Sequence, residues 1–282
     1  MCPKLLTNQQ RKLFKKNGYL VVPNALTSLE IEALKVVGDQ LMNNFDYDGP
    51  YAHRRAGLLQ EKPFLALTTN EQTVPLIIAL LGYNIHITNT ALIYKHPQSP
   101  ESLIHCNWHR DVGVSLDIGH KRLPCVGLKI GYCLTDFPSP DSGGTMFVSG
   151  SNHMETALPI SRGETNPDIY EQPILKAGDA FLFESRTYHA PAPNYTNQIA
   201  KVVIFGYHYR WIKPDHYMRY YNNTLQPEDK LLEATTDLGR QLLGATKDSD
   251  NREAPDGIDW PIREWAKLHG LDVDHYNHIA EN

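Results

Sequence analysis

Residues 84–97 read NIHITNTALIYKHP, a stretch rich in β-branched residues that alternate with polar ones. This alternation is typical of a β-strand. Four later stretches have the same character: CVGLKIGYCLTDF at 125–137, GTMFVSGS at 144–151, PILKAGDAFLFES at 173–185 and IAKVVIFGYHYRWI at 199–212. Turn-forming segments such as PSPDSGG and PAPNYTN separate them. Many strands with long, uneven connections predict a double-stranded β-helix, the jelly-roll or cupin-like architecture.

Helices are predicted on the N-terminal side of this β-core. After the N-cap residue Thr7, apolar residues recur at helical spacing, and Gly18 ends the helix. A second helix is capped by Thr27 or Ser28 and runs to about Asn44. Between the two helices, YLVVP predicts a short strand.

Helices are also predicted further along the chain. VPLIIALLG at 74–82 is typical of a short apolar helix, and PEDKLLEATTDLGRQLLG at 227–244 of an amphipathic one. DWPIREWAKLHG at 259–270 predicts a last helix, capped by Asp259. We therefore expect one domain, 1–282, mainly β with flanking α. Its β-core spans about 84–212, and helical segments at 1–83 and 213–282 wrap around it.

The composition excludes several classes of protein. The 282 residues carry a formal net charge of −5, with 41% hydrophobic and 21% charged residues. The lack of a long basic run argues against a nucleic-acid partner, and no apolar run reaches the roughly 18 residues of a transmembrane helix. The first residues lack the pattern of a secretory signal, so we expect a cytoplasmic protein with no membrane partner. The oligomeric state stays open.

The cysteines show no pattern of a disulfide framework or of a zinc site. They are Cys2, Cys106, Cys125 and Cys133, with no C-x-x-C pair among them. We expect free thiols, most of them small core residues, as in a cytosolic protein.

Residues 107–113 read NWHRDVG, and the letters HRD occur in two unrelated kinds of site. In a protein kinase they mark the catalytic loop, together with an Asn five residues after the Asp, a Gly-rich loop and a DFG segment. Here that fifth position is Leu116, no G-x-G-x-x-G precedes it, and no DFG occurs. On a β-strand, His109 and Asp111 instead point to one face and can be two ligands of a metal ion.

A third, neutral ligand would complete a 2-His-1-carboxylate triad, which leaves positions on Fe(II) open for a cosubstrate and O2. The best candidate is His189, which follows an apolar strand in FLFESRTYHAPAPN and precedes a Pro-rich turn. The chain has 13 histidines, so rivals exist. They are His105, His120, His153 and His208.

Four motifs in order carry a resemblance to a known family: LTNQQRKLFKKNGYLVVPNALTSLEIEAL at 6–34, WHRD at 108–111, DFPSPDSGGTMFVSGSNH at 136–153 and LKAGDAFLFESRTYHA at 175–190. Over most of residues 5–212 the chain resembles the phytanoyl-CoA dioxygenase-like family of iron(II)/2-oxoglutarate-dependent oxygenases. The resemblance implies His109, Asp111 and His189 as the metal ligands. It also implies that Thr145 contacts 2-oxoglutarate.

The chain departs from the family at the residue that clasps the far carboxylate of 2-oxoglutarate. The family usually has an Arg eleven or twelve residues after the distal His, where this chain has Ala200 and Lys201. Lys201 can make a point-charge contact but lacks the bidentate fork of Arg. Some members use an Arg ahead of the core, which makes Arg55 a second candidate.

Three other features have a structural and a functional interpretation. His153 matches a signature histidine of the family, and we expect a hydrogen-bonding residue rather than a ligand. Trp108 and Tyr132 fit the core as well as a pocket. The stretch VGVSLDIGHKRLPC at 112–125 fits a mobile lid over the substrate as well as an ordinary surface loop.

The function implied by the resemblance is hydroxylation of an unactivated C–H bond of a small molecule, with succinate and CO2 as coproducts. The related halogenases replace the carboxylate ligand by a small residue, so Asp111 favours hydroxylation or a variant such as desaturation. An acyl-CoA substrate would need a basic patch for its phosphates, and the chain offers only the loose cluster RKLFKK at 11–16. We therefore expect a compact metabolite in a tailoring step of specialised-metabolite biosynthesis. The alternatives are an acyl-CoA hydroxylase, a metal-dependent hydrolase and a non-catalytic jelly-roll binding protein.

Overall fold

The computed structural model describes residues 5–101, 107–111, 123–214, 229–244 and 261–271. The chain forms two compact units. The first, called the sheet unit, consists of Asn8–Arg54 and Ala91–Ile204. The second, called the helical unit, consists of Met1–Thr7, Arg55–Thr90 and Phe205–Asn282.

Eight strands form two sheets in the described part of the chain. They are β1 (Tyr19–Val22), β2 (Tyr51–Arg54), β3 (Ile85–Lys95), β4 (Gly127–Cys133), β5 (Thr145–Phe147), β6 (Ala180–Glu184), β7 (His189–Pro191) and β8 (Ala200–Tyr209). The larger sheet has the order β1-β6-β4-β8-β3-β2, and β5 and β7 form the smaller one. The pairs β1–β6, β4–β6, β2–β3 and β5–β7 are antiparallel. The expectation of a β-rich fold with flanking helices is confirmed at this level.

Two strands of the larger sheet come from the segment before residue 84. The predicted strand YLVVP is β1, which pairs with β6 from Tyr19↔Phe183 to Val22↔Ala180. No strand was predicted at Tyr51–Arg54, because this short stretch lies in a polar part of the sequence. There β2 pairs with the end of β3, from Tyr51↔Lys95 to Arg54↔Leu92. Its conformation comes from this long-range pairing, because four residues carry no usable periodicity.

The helices of the sheet unit are α1 (Asn8–Asn17) and α2 (Ser28–Asn43). Thr27 is the N-cap of α2 and forms a capping box, in which the Glu30 amide donates to Thr27 Oγ1 and Glu30 Oε2 accepts from the Thr27 amide. Gly18 ends α1 with φ of 79°. A Cβ at Gly18 would lie 2.2 Å from Thr187 Oγ1, so this turn needs glycine for its space as well as its dihedral angle.

The core of the sheet unit combines residues from both sheets. Its buried members are Ala91, Ile93, Cys133, Phe137, Phe147, Leu175, Phe181, Phe183, Ala200, Val202 and Ile204. Tyr19 packs against this core and stacks on Phe147, with ring centroids 4.6 Å apart. Phe147 of the smaller sheet also lies 5.4 Å from Phe183 of the larger one, centroid to centroid. Aromatic packing therefore joins the two sheets.

The helical unit contains α3 (Lys62–Ala66), α4 (Val74–Leu81), α5 (Asp229–Glu233), α6 (Asp237–Leu242) and α7 (Pro261–Leu268). The single helix predicted at 227–244 is wrong, because α5 and α6 are separate helices. Thr236 lies between them and caps α6, where its Oγ1 accepts from the Gly239 amide at 3.2 Å. Such a side chain competes with the backbone for hydrogen bonds and starts a new helix rather than continuing the old one. The predicted cap Asp259 lies outside the described residues.

Gln241 of α6 is fully buried and links three segments of the helical unit. Its Nε2 donates to the carbonyl oxygen of Tyr83 at 2.7 Å. Its Oε1 accepts from the Ile262 amide at the start of α7 at 3.0 Å. A buried amide with donors and acceptor satisfied fixes the packing of these segments.

No single helix among the described residues is long and apolar enough to cross a membrane. One pair of helical segments, Lys62–Thr69 and Val74–Leu81, satisfies length and composition together across a bend of 47°.

Both described cysteines are free thiols, as predicted. Burial raises the pKa of Cys125 to about 12, and the nearby Glu184 carboxylate adds to this effect. Burial also raises the pKa of Cys133 well above its usual range. Both side chains therefore stay protonated and unreactive at neutral pH. Cys2 and Cys106 lie outside the described residues.

The close approach of β4 and β6 gives a test of the core packing. A Cβ at Gly131 would lie 2.2 Å from Cζ of Phe181, which is itself buried. We expect Gly131→Ala to lower the free energy of unfolding by about 1–3 kcal/mol, the usual cost of overpacking. Gly144→Ala is the control, because its Cβ would only make an ordinary 3.5 Å contact with Phe137. Urea unfolding of both variants measures the difference, and equal stabilities would contradict this packing.

Candidate metal centre

A backbone bridge joins the segment around His109 to the start of β7. The His109 amide donates to the His189 carbonyl at 3.1 Å, and the His189 amide donates to the His109 carbonyl at 3.0 Å. The Asp111 amide continues the contact to the Ser185 carbonyl at 2.9 Å. His-x-Asp was predicted to lie on a β-strand. In the described residues 107–111 it is an isolated antiparallel bridge instead, which still directs the two side chains to one side.

The bridge brings together the three side chains predicted as metal ligands. One ligand atom each from His109, Asp111 and His189 lies within 4.8 Å of the others. His109 Nε2 is 3.7 Å from Asp111 Oδ1, and His189 Nε2 is 3.7 Å from Asp111 Oδ2. The side chains of His189 and Asp111 are 8% and 11% exposed, whereas that of His109 is 40% exposed. The cluster is therefore lined on one side by protein and accessible at His109.

Backbone carbonyls orient both imidazoles. Nδ1 of His109 lies 2.7 Å from the Asn107 carbonyl, and Nδ1 of His189 lies 3.0 Å from the Thr187 carbonyl. A carbonyl oxygen only accepts, so each Nδ1 carries the proton. In a neutral ring the lone pair is then on Nε2, the atom that faces the cluster, and this is the usual second hydrogen bond of a metal-binding histidine.

The carboxylate of Asp111 has one oxygen that lacks a partner. Oδ2 is buried and makes no hydrogen bond, whereas Oδ1 contacts Nζ of Lys129 at 2.5 Å. Leaving a buried carboxylate oxygen unpaired costs free energy. An orphaned carboxylate oxygen between two imidazole lone pairs is a donor set that fits a divalent metal ion, Fe(II) among them.

The pKa values agree with this donor set. Burial raises the pKa of Asp111, but the neighbouring His189 and Lys129 outweigh that effect, and the net shift is downward. Burial lowers the pKa of His189 to about 4, against the opposing effect of Asp111. At neutral pH the carboxylate is therefore ionised and His189 is neutral, the two states in which they bind metals.

Lys129 was not predicted from the sequence as a site residue. It lies on β4 directly opposite Phe183 of β6, and the Phe183 ring lies 4.4 Å from the ring of His189, centroid to centroid. A signal for Lys129 did exist. It is the one charged residue in the otherwise apolar stretch CVGLKIGYC, and such a residue in a buried strand needs a partner.

Thr145 lies on the same face as the histidine. It is the first residue of β5 and pairs with Pro191 of β7, while Phe147 pairs with His189. Residues two apart in a strand share a face, so Thr145, Phe147 and His189 point to one side of the smaller sheet. This position suits the predicted contact with 2-oxoglutarate, and the contact itself stays a prediction.

Lys201 is not brought to the metal cluster. Its Nζ lies 2.5 Å from Asp39 Oδ1 and 4.7 Å from the ring centroid of Tyr94. Its neighbours Ala200 and Val202 belong to the core that contains Phe183. Because side chains alternate along a strand, Lys201 points to the opposite face of the sheet.

Arg55 belongs to the helical unit, where its carbonyl accepts from Thr90 Oγ1 at 3.1 Å. Its part in cosubstrate binding stays a prediction.

The rival histidines have other partners or lie outside the described residues. His153 Nε2 contacts the Lys15 carbonyl at 2.7 Å, which agrees with the predicted hydrogen-bonding role. His208 Nδ1 contacts Thr88 Oγ1 at 2.6 Å in the helical unit. Outside the described residues lie His105, His120 and residues 112–122 of the predicted lid.

The sequence left the roles of Trp108 and Tyr132 open between core and pocket. Trp108 donates from Nε1 to Asn166 Oδ1 at 2.9 Å, and its ring meets that of Tyr170 edge to face. Trp108 therefore packs against the small apolar cluster of Met146, Ala190 and Ala192. Tyr132 is fully buried in the core.

The three candidate ligands lie within a segment that matches a known protein family. A family model described as phytanoyl-CoA dioxygenase (PhyH) matches residues 14–202, which is more than half of the chain. The chain belongs to the phytanoyl-CoA dioxygenase family. The resemblance noted in the sequence is thereby confirmed, and so is the expectation of a dioxygenase-class enzyme. No curated protein matches the chain.

Three solved structures show a similar fold. HygX from Streptomyces hygroscopicus, with nickel and 2-oxoglutarate bound, is 19% identical with a TM-score of 0.61, covering 74% of this chain and 89% of HygX. The epimerase SnoN, in complex with Fe3+, α-ketoglutarate and nogalamycin RO, is 17% identical with a TM-score of 0.57, covering 71% and 82%. The carbocyclase SnoK from nogalamycin biosynthesis is 15% identical with a TM-score of 0.57, covering 72% and 84%. At these identities the likeness is one of fold.

The donor set predicts how metal binding responds to substitution. We expect the chain to bind one Fe(II) or Ni(II) ion, and His109→Ala or Asp111→Ala to weaken binding by more than about 100-fold. Loss of a residue that only orients a ligand already costs about 10–100-fold. Anaerobic equilibrium dialysis measures the affinity.

His153→Ala is the matched control, because its ring contacts a backbone carbonyl outside the cluster. It should bind the metal as the unmodified chain does. Undiminished binding by Asp111→Ala would rule out this carboxylate as a ligand.

Proposed function

We propose that this chain is an iron(II)- and 2-oxoglutarate-dependent oxygenase that hydroxylates an unactivated C–H bond of a small metabolite, with succinate and CO2 as coproducts. The single observation that carries the proposal is the cluster of two Nε2 lone pairs and one orphaned carboxylate oxygen. Family membership supports the same reaction class. The bound iron or nickel and 2-oxoglutarate of HygX support the choice of cofactor and cosubstrate.

We further propose that the two sheets are the two halves of a double-stranded β-helix. The larger sheet supplies β4 and β6, and the smaller sheet supplies the histidine-bearing strand β7. Aromatic packing of Phe147 against Phe181 and Phe183 joins them. A cluster held between such sheets sits on rigid elements, as precise positioning of ligands requires.

In this proposal His109, Asp111 and His189 hold the iron, and Thr145 contacts 2-oxoglutarate. Bound iron supplies the redox chemistry that activates O2, which the side chains of a protein cannot supply themselves. The chain's own part is to bind, to orient and to exclude water. The two Nδ1–carbonyl hydrogen bonds keep the imidazoles in one tautomer, and the ring of Phe183 closes one side of the cluster.

The carboxylate of Asp111 favours hydroxylation over halogenation. It stands where the related halogenases have a small residue, and as a ligand to bound iron it would take the place that a halide would need. The same ligand set is also compatible with desaturation. The identity of the product therefore depends on how the substrate is held.

The substrate proposed is a compact metabolite in a biosynthetic tailoring step. HygX with hygromycin B bound, and SnoN and SnoK from nogalamycin biosynthesis, support this class. An acyl-CoA substrate has less support. Lys15 and Lys16 of the only loose basic cluster lie in the last turn of α1, where positive charge stabilises the helix C-terminus.

Coupled consumption of O2 and 2-oxoglutarate tests the reaction class. We expect the Fe(II)-loaded chain to convert 2-oxoglutarate to succinate and CO2, slowly alone and faster with an accepted metabolite. Asp111→Ala should lower this turnover to background, because it removes a ligand, while His153→Ala should keep it. Oxygen-electrode traces and release of CO2 from carboxyl-labelled 2-oxoglutarate measure both.

Three results would contradict the proposal in different ways. Hydrolysis supported by Zn(II) without O2 would indicate a metal-dependent hydrolase. Metal content below one ion per chain would indicate a non-catalytic binding protein. Turnover stimulated by acyl-CoAs and not by free metabolites would leave the chemistry in place and change the substrate class.

A further inference from the structure

We propose that Lys129, rather than Lys201, binds the remote carboxylate of 2-oxoglutarate. This inference rests on the proposed function, since it assigns a residue to its cosubstrate. The arginine that usually binds this carboxylate in the family is absent from the chain, which has Ala200 and Lys201 at that place.

Lys129 reaches the cluster from strand β4 of the larger sheet. It lies on β4 opposite Phe183, so both side chains are on the face that carries the core of the sheet unit. Its Nζ is 2.5 Å from Asp111 Oδ1, and its side chain is 20% exposed. Among the described residues, Lys129 contacts one of the three candidate ligands, Asp111.

The pairing with Asp111 suits the metal-free chain but not the metal-bound one. A divalent ion on Asp111 takes over the neutralisation of the carboxylate and repels the neighbouring ammonium group. The ion, the carboxylate and the ammonium group then carry two positive charges in total. 2-Oxoglutarate carries two negative charges, so its binding balances the site, whereas a monoanionic keto acid leaves a positive charge without a partner.

The reach of the cosubstrate agrees with this position. Its remote carboxylate carbon is three carbon–carbon bonds from the oxo carbon, at about 1.5 Å for each bond. The lysine stem is flexible and has three donor hydrogens, so Nζ can turn from Asp111 to an anion a few bonds away. Thr145, on the face of His189, is placed to donate a hydroxyl to the same anion.

The rival cations of the sheet unit have other contacts. Lys201 is on the opposite face and pairs with Asp39. Ala200, at the alternative family position, has an uncharged methyl group in the core. Lys95 donates to the Gly144 carbonyl at 2.7 Å, and Arg110 donates from Nη2 to the Ser151 carbonyl at 2.6 Å.

A comparison of two keto acids separates direct contact from an indirect effect. The Ni(II)-saturated chain is titrated calorimetrically with 2-oxoglutarate and with 2-oxopentanoate, which has the same five carbons but no second carboxylate. Lys129→Met should weaken 2-oxoglutarate by about 10- to 100-fold, equivalent to about 1.4–2.8 kcal/mol. It should leave 2-oxopentanoate within about threefold, because a contact absent from the ligand cannot be lost.

Two further variants are controls. Lys176→Met removes an exposed positive charge and should bind both keto acids as the unmodified chain does. Lys129→Arg restores the charge and should regain part of the preference for the dicarboxylate. Metal stoichiometry and circular dichroism, measured on the same samples, establish that each variant is folded and loaded.

Several outcomes would overturn the inference. Equal weakening of both keto acids by Lys129→Met would show that Lys129 acts through Asp111 or the metal. A selective loss in Lys201→Met or Arg55→Met, with none in Lys129→Met, would move the role to that residue. An unmodified chain that binds Ni(II) but not 2-oxoglutarate would overturn the proposed function itself, and this result is distinct from the other two.

Discussion

The candidate centre depends on one reciprocal pair of backbone hydrogen bonds, between His109 and His189. These residues are far apart in sequence, and the pair brings both side chains to one side of the bridge. Asp111 follows two residues later, and its amide bond to Ser185 keeps its carboxylate in register with the imidazoles. A small displacement of the bridge would move all the candidate ligand atoms together, so the rest of the sheet unit has to hold it rigidly.

The packing around the bridge supplies that rigidity. Gly18 is close to the Thr187 side chain, whose hydroxyl donates to the Gly18 carbonyl at 2.8 Å. This contact ties the turn after α1 to the residues just ahead of His189. On the other side, the guanidinium of Arg110 lies 4.3 Å from the ring centroid of Tyr188 and donates to the carbonyls of 151 and 154. The residues that alternate with the candidate ligands thus anchor the segment, while the ligands face the cluster.

Charge explains why the site is poised for a cation and an anionic cosubstrate. Asp111 keeps its negative charge at neutral pH because the ammonium group of Lys129 opposes the effect of burial on its pKa. One carboxylate oxygen contacts Lys129, and the other makes no hydrogen bond. The charges of Asp111 and Lys129 balance, but one carboxylate oxygen lacks a hydrogen bond. Such a preformed site favours metal binding.

The sequence alone predicted six of the eight described strands and the ends of α1 and α2, and the family resemblance added the three residues of the cluster. These features can be detected in the sequence itself. They are the alternation of side chains, a capping threonine such as Thr27, and the order of His109, Asp111 and His189. The short strand β2 and the break before Thr236 could not be predicted, because pairing with a distant strand and competition for hydrogen bonds decide them.

Only the tertiary structure distinguishes Lys129 from Lys201. Both are lone lysines in apolar strands, and spacing from His189 pointed to Lys201. Only the assembled sheet shows that the two lysines lie on opposite faces, one beside Asp111 and the other beside Asp39. The physical reason is that a strand offers two faces, and which one meets the metal centre is settled by the strands that pair and pack around it.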